Sequence, residues 1–344
     1  LVPAASPASE PAAGKPSEVL KLVAAGDIML GRGVGMRLEK DGLGYAYPFH
    51  KIAGILQSGD VVFGNLEHPL TDREKSLDRR YKFVLRARTE AFTGIKQAGF
   101  NLLSLANNHI LDSYEDGLFD TMEILEKNVI AYSGAGRNMA GARKPAIIEK
   151  KGYKLGLLAY TDMAECVYKG NPSISFLAGD DRAGVAPRKL EYIKEDVEKL
   201  RDSVDILAVS LHWGVEESFE VQPEQVEFAH SLIDMGVDIV LGHHPHQFQG
   251  IEVYKGKPVI YSLGNIIFDQ NDPENKESFI LSLEFSEGRW TSLAALPVRI
   301  VDKVQVVPQQ GEDARALLAR EAELSSKLGS SCRIADDSLI FDIW

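Results

Sequence analysis

The stretch Asp238 to Gln247, DIVLGHHPHQ, decides how this chain is read. Ile239, Val240 and Leu241 form an apolar run of strand length, closed by Gly242. Three of the chain's eight histidines follow at once, at His243, His244 and His246. An unbroken apolar run suits a strand buried on both faces, as in the parallel part of an α/β sheet. Polar side chains placed directly after it therefore lie at the strand's carboxyl end.

The same pattern recurs along the chain. LKLVAAGD ends at Asp27, DVVFGNLE carries Asn65 and Glu67, and NLLSLANNH ends with Asn108 and His109. DILAVSLHWG carries His212, and PVIYSLGN ends at Asn265. Helical patterns lie between these runs. Residues 90–98 precede Gly99, a C-terminal cap. Leu118, Met122 and Leu125 repeat at helical spacing, as do Leu190, Ile193, Val197 and Leu200 in a segment opened by Pro187. Residues 223–235 form a further helix closed by Gly236. Strands alternating with helices predict an α/β fold. In such folds ligand sites lie beyond the carboxyl ends of the strands, so the separated polar clusters should meet at one edge.

Three other segments predict hairpins: AIIEKKGYKLGLLAY, IEVYKGKPVIYSL and SFILSLEFSEGRWTSLAAL, each with a turn between apolar runs. The sheet is therefore mixed, or there are two sheets. Residues 311–329 read as a helix, and SLIFDIW as a final strand. No linker interrupts the chain after residue 18, so residues 19–344 are expected to form one domain. Residues 1–18, LVPAASPASEPAAGKPSE, are rich in Ala, Pro and Ser. They read as a disordered or extended tether left after removal of an export signal, which places the protein outside the cytoplasm.

Composition narrows the function. The net charge of -12 over 344 residues leaves no basic surplus for a nucleic-acid partner. The two cysteines, Cys166 and Cys332, form no C-x-x-C pair, so they are either one disulfide or two thiols. No apolar run has membrane-spanning length.

The gathered residues offer carboxylate, amide and imidazole donors, which suit borderline divalent metals such as Mn, Zn or Fe. Asp27, Glu67, Asn108, His212, His243 and His246 are the expected ligands, too many for one open ion and suited to two. Two such ions clamp the attacking and leaving oxygens of a phosphoryl displacement. His109 is the expected proton donor to the leaving oxygen, and Asp112 either orients it or caps the next helix. His244, between the two closing ligands, is expected to point elsewhere. His68 stands beside the ligands, while His50 and His230 receive no site role. The basic run Asp78 to Arg88, DRRYKFVLRAR, alternates Arg80, Lys82 and Arg86 with apolar residues. It is either a solvated strand face or, through Lys82 and Arg86, a contact for an anionic substrate. Asn65 and Asn265 are further candidates for substrate contact.

Taken in order, GDIMLGR, GNLE, SLANNHILD, LHWGVE, GHHPH and SLGNIIFD resemble the bacterial capsule-synthesis protein A, or poly-γ-glutamate biosynthesis, family over residues 20–300. That family resembles a branch of the calcineurin-like metallophosphatases. The resemblance implies a four-layer α/β/β/α sandwich of two mixed sheets and two metal ions at the strand ends. It implies a place at the outer face of the cytoplasmic membrane, and an anionic surface polymer or phosphorylated small molecule as ligand. A membrane-bound polymer synthase complex is the implied partner. Asp27 matches the first metal-binding Asp, Asn108 and His109 the Asn-His pair, His212 the lone His, and His243 with His246 the closing pair. Three departures stand out: Met29 where a His is usual, Glu67 in place of the bridging Asp, and two residues inside the closing pair instead of one. The expected function is surface-polymer biosynthesis with a metal-dependent, phosphoesterase-like hydrolase site. The alternative is a non-catalytic component that uses the same site to bind polymer.

Overall fold

The computed structural model describes residues 18–77, 83–165 and 175–343. From the amino end, β1 (Leu20–Ile28) leads to α1 (Arg32–Lys40), α2 (Ala53–Leu56), β2 (Val61–Leu66) and α3 (Phe92–Ala98). Then come β3 (Leu102–Ser104), α4 (Tyr114–Lys127), β4 (Ala131–Ser133), β5 (Ala135–Gly136) and α5 (Met139–Ala142). The middle holds β6 (Ala146–Lys150), β7 (Tyr153–Thr161), β8 (Gly184–Val185), α6 (Leu190–Leu200), β9 (Ile206–His212), α7 (Pro223–Asp234) and β10 (Ile239–His243). The last third holds β11 (Ile251–Tyr254), β12 (Lys257–Ile260), β13 (Asn265–Ile267), β14 (Glu277–Ser286), β15 (Arg289–Val301) and β16 (Gln305–Pro308). The final elements are α8 (Gly311–Lys327), β17 (Cys332–Ala335) and β18 (Ser338–Phe341).

The strands form two large sheets and one small pair. The first runs β17-β18-β15-β14-β1-β2-β3-β4, with β13 also on β1 and β16 on β15. The second runs β11-β12-β10-β9-β7-β6. Both are mixed. β1, β2, β3 and β4 run parallel, as do β7, β9, β10 and β12, while hairpins supply the antiparallel flanks. All three predicted hairpins form, β6-β7, β11-β12 and β14-β15. Each turns through two positive-φ residues ending in Gly: Lys151-Gly152, Lys255-Gly256 and Glu287-Gly288. That backbone matches the right-handed twist of the paired strands.

Side-chain alternation explains the layering. In β1, Leu22 and Ala24 face the second sheet, where they meet Leu155, Leu157, Ile206, Ala208 and Leu241 in one core. Val23 and Ala25 face the other way, onto Val34 and Leu38 of α1 and Leu118, Met122 and Leu125 of α4. On the far side, Leu207, Val209 and Val240 of the second sheet pack on Ile193 and Val197 of α6 and Leu232 of α7. Three cores separate four layers, helix, sheet, sheet and helix, the order expected of the fold. Met29 is fully buried in the helix-side core of the first sheet, not at the strand-end cluster. α8 lies outside the layers, with Leu317 and Leu318 joining the core between the sheets.

One sequence expectation does not hold. Residues 83–86 are not a strand; among the described residues of the run, the bridge is that of Ala87 to Leu70. Lys82 and Cys166, and the proposed tether up to residue 17, lie outside the described residues. Cys332 is a free thiol. Among the described residues no helix is long and apolar enough to cross a membrane.

Candidate metal centre

Strand register assembles the site. In the first sheet Asp27 stands opposite Asn65 on one side and Asn265 on the other. In the second, His243 stands opposite His212, and His212 opposite Thr161. Each sheet therefore delivers a row of polar side chains at its parallel carboxyl end, and face-to-face packing brings the rows together. Two glycines permit this. A Cβ on Gly26 would lie 1.9 Å from the Gly264 carbonyl oxygen, and one on Gly242 would lie 1.9 Å from that of Tyr261. The close approach lets the Asp27 amide donate to the Gly264 carbonyl at 2.9 Å.

Asp27 and Glu67 are both fully buried. Asp27 Oδ1 accepts from Asn65 Nδ2 at 2.9 Å and lies 3.0 Å from His243 Nδ1. Its Oδ2 lies 3.8 Å from His246 Nδ1. Ligand atoms of Asp27, Glu67 and His246 all come within 4.8 Å of one another. A second cluster sits beside the first. His212 Nε2 lies 2.9 Å from Asn108 Oδ1, 3.2 Å from His244 Nδ1 and 3.9 Å from Glu67 Oε1. Donor atoms bound to one ion at about 2.0–2.2 Å are themselves roughly 3 Å apart; the His212, Asn108 and His244 contacts have that spacing, while the Asp27, Glu67 and His246 atoms stand wider, within 4.8 Å. Glu67 is shared between them.

The electrostatics favour neutral rings at His212 and His244 beside an ionised Asp27. Burial works to raise the Asp27 carboxyl, but the His243 hydrogen bond and the His243 and His246 rings outweigh it and hold the group below its ordinary value. Burial pushes His212 well down, helped by the neighbouring rings. Burial and His246 lower His244 to about 3. Neutral imidazoles are the form that binds metal. Buried like-charged carboxylates are costly without a cation among them. His243 Nε2 is also buried and, among the described residues, has no hydrogen-bond partner. Donor set and charge both fit divalent metal.

The structure redistributes the closing histidines. His244, expected to point away, reaches His212, and its amide approaches Asp27 Oδ2 at 3.4 Å. His243 instead clamps Asp27. The reason is backbone: φ is +100° at His244 and +60° at His246, so simple alternation fails. The pair reaching the two clusters is therefore His244 and His246, with one residue between them.

Around the clusters, the remaining candidates take supporting places. His109 Nδ1 lies 2.7 Å from Asp112 Oδ2, which also accepts from the Leu85 amide at 2.7 Å. Of its two expected roles, Asp112 takes the orienting one. Asn265 Oδ1 lies 3.0 Å from His246 Nδ1, and its Nδ2 donates to Gln270 and to the Asn275 carbonyl. Asn65 is likewise spent on Asp27 and Asn107. Both amides, read as substrate contacts, hydrogen-bond other residues of the site. Arg86 lies apart from the clusters, with its Nη1 donating to the Arg73 carbonyl. Asn107 was missed by sequence reasoning. It donates to Asn65 Oδ1 at 3.1 Å and to the Leu66 carbonyl at 2.8 Å, and accepts from the His109 and Ile110 amides. No periodicity marks it; only the doubled Asn-Asn hints at two jobs.

The fold and site define a two-sheet α/β sandwich with a histidine- and carboxylate-rich centre between the sheet ends. Residues 21–270 match the model of the family described as bacterial capsule synthesis protein PGA_cap, and the chain belongs to that family. It is 30% identical over 300 residues to the capsule biosynthesis protein CapA of Bacillus anthracis, covering 84% of this chain and 70% of that protein. It is 28% identical over 327 residues to the PGA biosynthesis protein CapA of Bacillus subtilis strain 168, covering 95% and 83%. Among solved structures, a hypothetical protein from Thermus thermophilus is similar at 17% identity and a TM-score of 0.49, covering 81% of this chain and 98% of that one.

Proposed function

We propose that this protein acts in the synthesis of a capsule or poly-γ-glutamate-type surface polymer through a metal-dependent, phosphoesterase-like hydrolytic centre. The observation that carries the reading is the meeting of two buried carboxylates at the ends of first-sheet strands with buried imidazoles at the ends of second-sheet strands. Asp27, Glu67 and His246 would hold one divalent ion, and Asn108, His212 and His244 a second, with Glu67 between. When bound, such ions supply Lewis-acid polarisation of a phosphoryl or carbonyl oxygen. Asn65 and His243 fix Asp27, and Asn265 fixes His246. With His109 Nδ1–H directed at Asp112, the protonated ring would carry its second proton on Nε2 and release it to a leaving oxygen, ending as the neutral ring. Family membership supports the polymer role, and the proposed partner is a membrane-bound polymer synthase. The proposed location is outside the cytoplasm, supported by the Ala/Pro-rich segment before β1.

The test is metal content by elemental analysis, in the parent and in His244→Ala and His246→Ala, followed by a phosphoester screen. Two equivalents of transition metal in the parent, about one in each variant, and metal-dependent turnover are expected. No metal after addition of Mn or Zn would sink the reading. Bound metal without turnover would leave the polymer-binding alternative.

A further inference from the structure

A cavity of about 510 Å³ opens among the loops that follow the strands of the metal centre, a volume within the range of small-molecule sites. Its walls are the loops that leave the site's own strands. Gly31 and Arg32 follow Asp27 by a few residues. Ala87 donates to the Pro69 carbonyl, just past Glu67. Asp269 follows Phe268, whose ring packs on His246 with centroids 4.8 Å apart. Glycines make these walls possible. A Cβ on Gly31 would lie 2.0 Å from the Arg86 carbonyl oxygen, and one on Gly33 would lie 2.7 Å from Asp269 Oδ2.

The lining combines two properties that rarely share an exposed surface. Arg32, Arg86 and Arg88 face Glu39 and Asp269, a surplus of one positive charge in a chain of net charge -12. Asp269 is committed, since its Oδ2 accepts from Arg32 Nε at 3.1 Å and from the Gly33 amide at 2.8 Å. Arg88 meets Glu39 only at 3.9 Å, with both exposed, a contact of little strength. Arg86 forms no ion pair among the described residues; its Nη1 bond is to a neutral carbonyl. The rim, by contrast, is apolar. Phe83 is 79% exposed and Met36 66%, and the Arg32 guanidinium lies 5.6 Å from the Phe83 ring centroid. Large apolar side chains left in water at the rim of a cavity that also holds Arg86 have a use if a ligand covers both.

We propose that this cavity binds an anionic amphiphile, with its phosphate-like or carboxylate head on Arg86 and Arg88 and its apolar chain across Phe83 and Met36. Binding does not require turnover at the metal centre, so the inference stands or falls separately from the hydrolase reading.

The probe is 1-octanesulfonate, which carries both properties and is not a phosphoester. Its affinity for the full chain is compared by calorimetry with that of methanesulfonate, which has the charge alone, and octyl glucoside, which has the tail alone. Octanesulfonate should bind at least about tenfold more tightly than either, and Arg86→Ser, Phe83→Ser and Met36→Ser should each lose roughly tenfold. Phe83 and Met36 are exposed, so those two variants keep the fold, which circular dichroism would verify. Sedimentation with phosphatidylglycerol vesicles then identifies the source. Capture that depends on Phe83 and Arg86 points to a membrane lipid, and binding of monomeric octanesulfonate without capture points to a soluble amphiphile. Equal affinities for octanesulfonate and methanesulfonate, or variants that bind like the parent, would overturn the proposal.

Discussion

His109 and Asp112 divide one task at the rim of the centre. Asp112 is fully buried and held by the Leu85 amide, so its carboxylate cannot turn away from His109. Asp112→Asn removes the charge that favours a protonated imidazole. If the hydrolase reading holds, kcat should fall by about a hundredfold or more with metal content unchanged. Loss of metal in this variant would instead make Asp112 a support for the ligands. A second residue-scale prediction concerns stability. Glu321 in α8 is buried, with Oε1 accepting from the Ile251 amide at 3.1 Å and from Ser325 Oγ at 2.8 Å. Burial lifts its carboxyl to about 8. The folded chain therefore keeps a proton that the unfolded chain releases near pH 4.5. Stability falls as pH rises from about 4.5 to about 8, then levels off. Glu321→Gln should abolish that slope, matching the parent near pH 4 and exceeding it by a few kcal/mol near pH 9 in urea titrations. Parallel stability profiles for the two proteins would refute this.

At the scale of elements, the site depends on how near strands approach one another. β10 lies so close to the segment after β12 that Gly242 has no room for a methyl group. Gly242→Ala must push β10 away from Tyr261 and carry His243 and His244 with it. A loss of about 2 kcal/mol or more is expected, together with weakened metal binding. A variant with unaltered thermal midpoint and metal content would show that β10 can shift freely. The hairpins illustrate the opposite case. Their X-Gly turns and alternating strands were legible from local sequence because turn chemistry acts within about four residues. Of the two readings of the basic run, the strand face does not appear in residues 83–86, because alternation of side chains does not guarantee a pairing partner. Ala87 alone finds one, at Leu70.

Across the whole molecule, two sheets meet with buried charge at one end of their shared core. Asp27, Glu67 and the surrounding rings hold the layers together only when their charges are balanced. Metal should therefore stabilise the entire fold, not a loop. Mn or Zn at about a hundred times its dissociation constant should add about 2.7 kcal/mol, and chelator should remove it. Calorimetry that shows a metal-independent midpoint would contradict this account of the buried carboxylates.

The sequence by itself determined the class of fold and the strand ends where polar side chains gather, among them Asp27, Glu67, Asn108, His212 and His246. Those follow from apolar runs and from polar residues directly after them, both local signals. Only the tertiary structure decided which imidazole serves which cluster. It set His243 on Asp27 and His244 against His212, bonded Asn65 to Asp27 and Asn265 to His246, and brought in Asn107. The physical reason is that sequence reading assumes an extended backbone with alternating side chains. Positive φ at His244 and His246, and contacts between residues far apart in the chain such as Asn65 and Asn107, follow only when two sheets pack face to face.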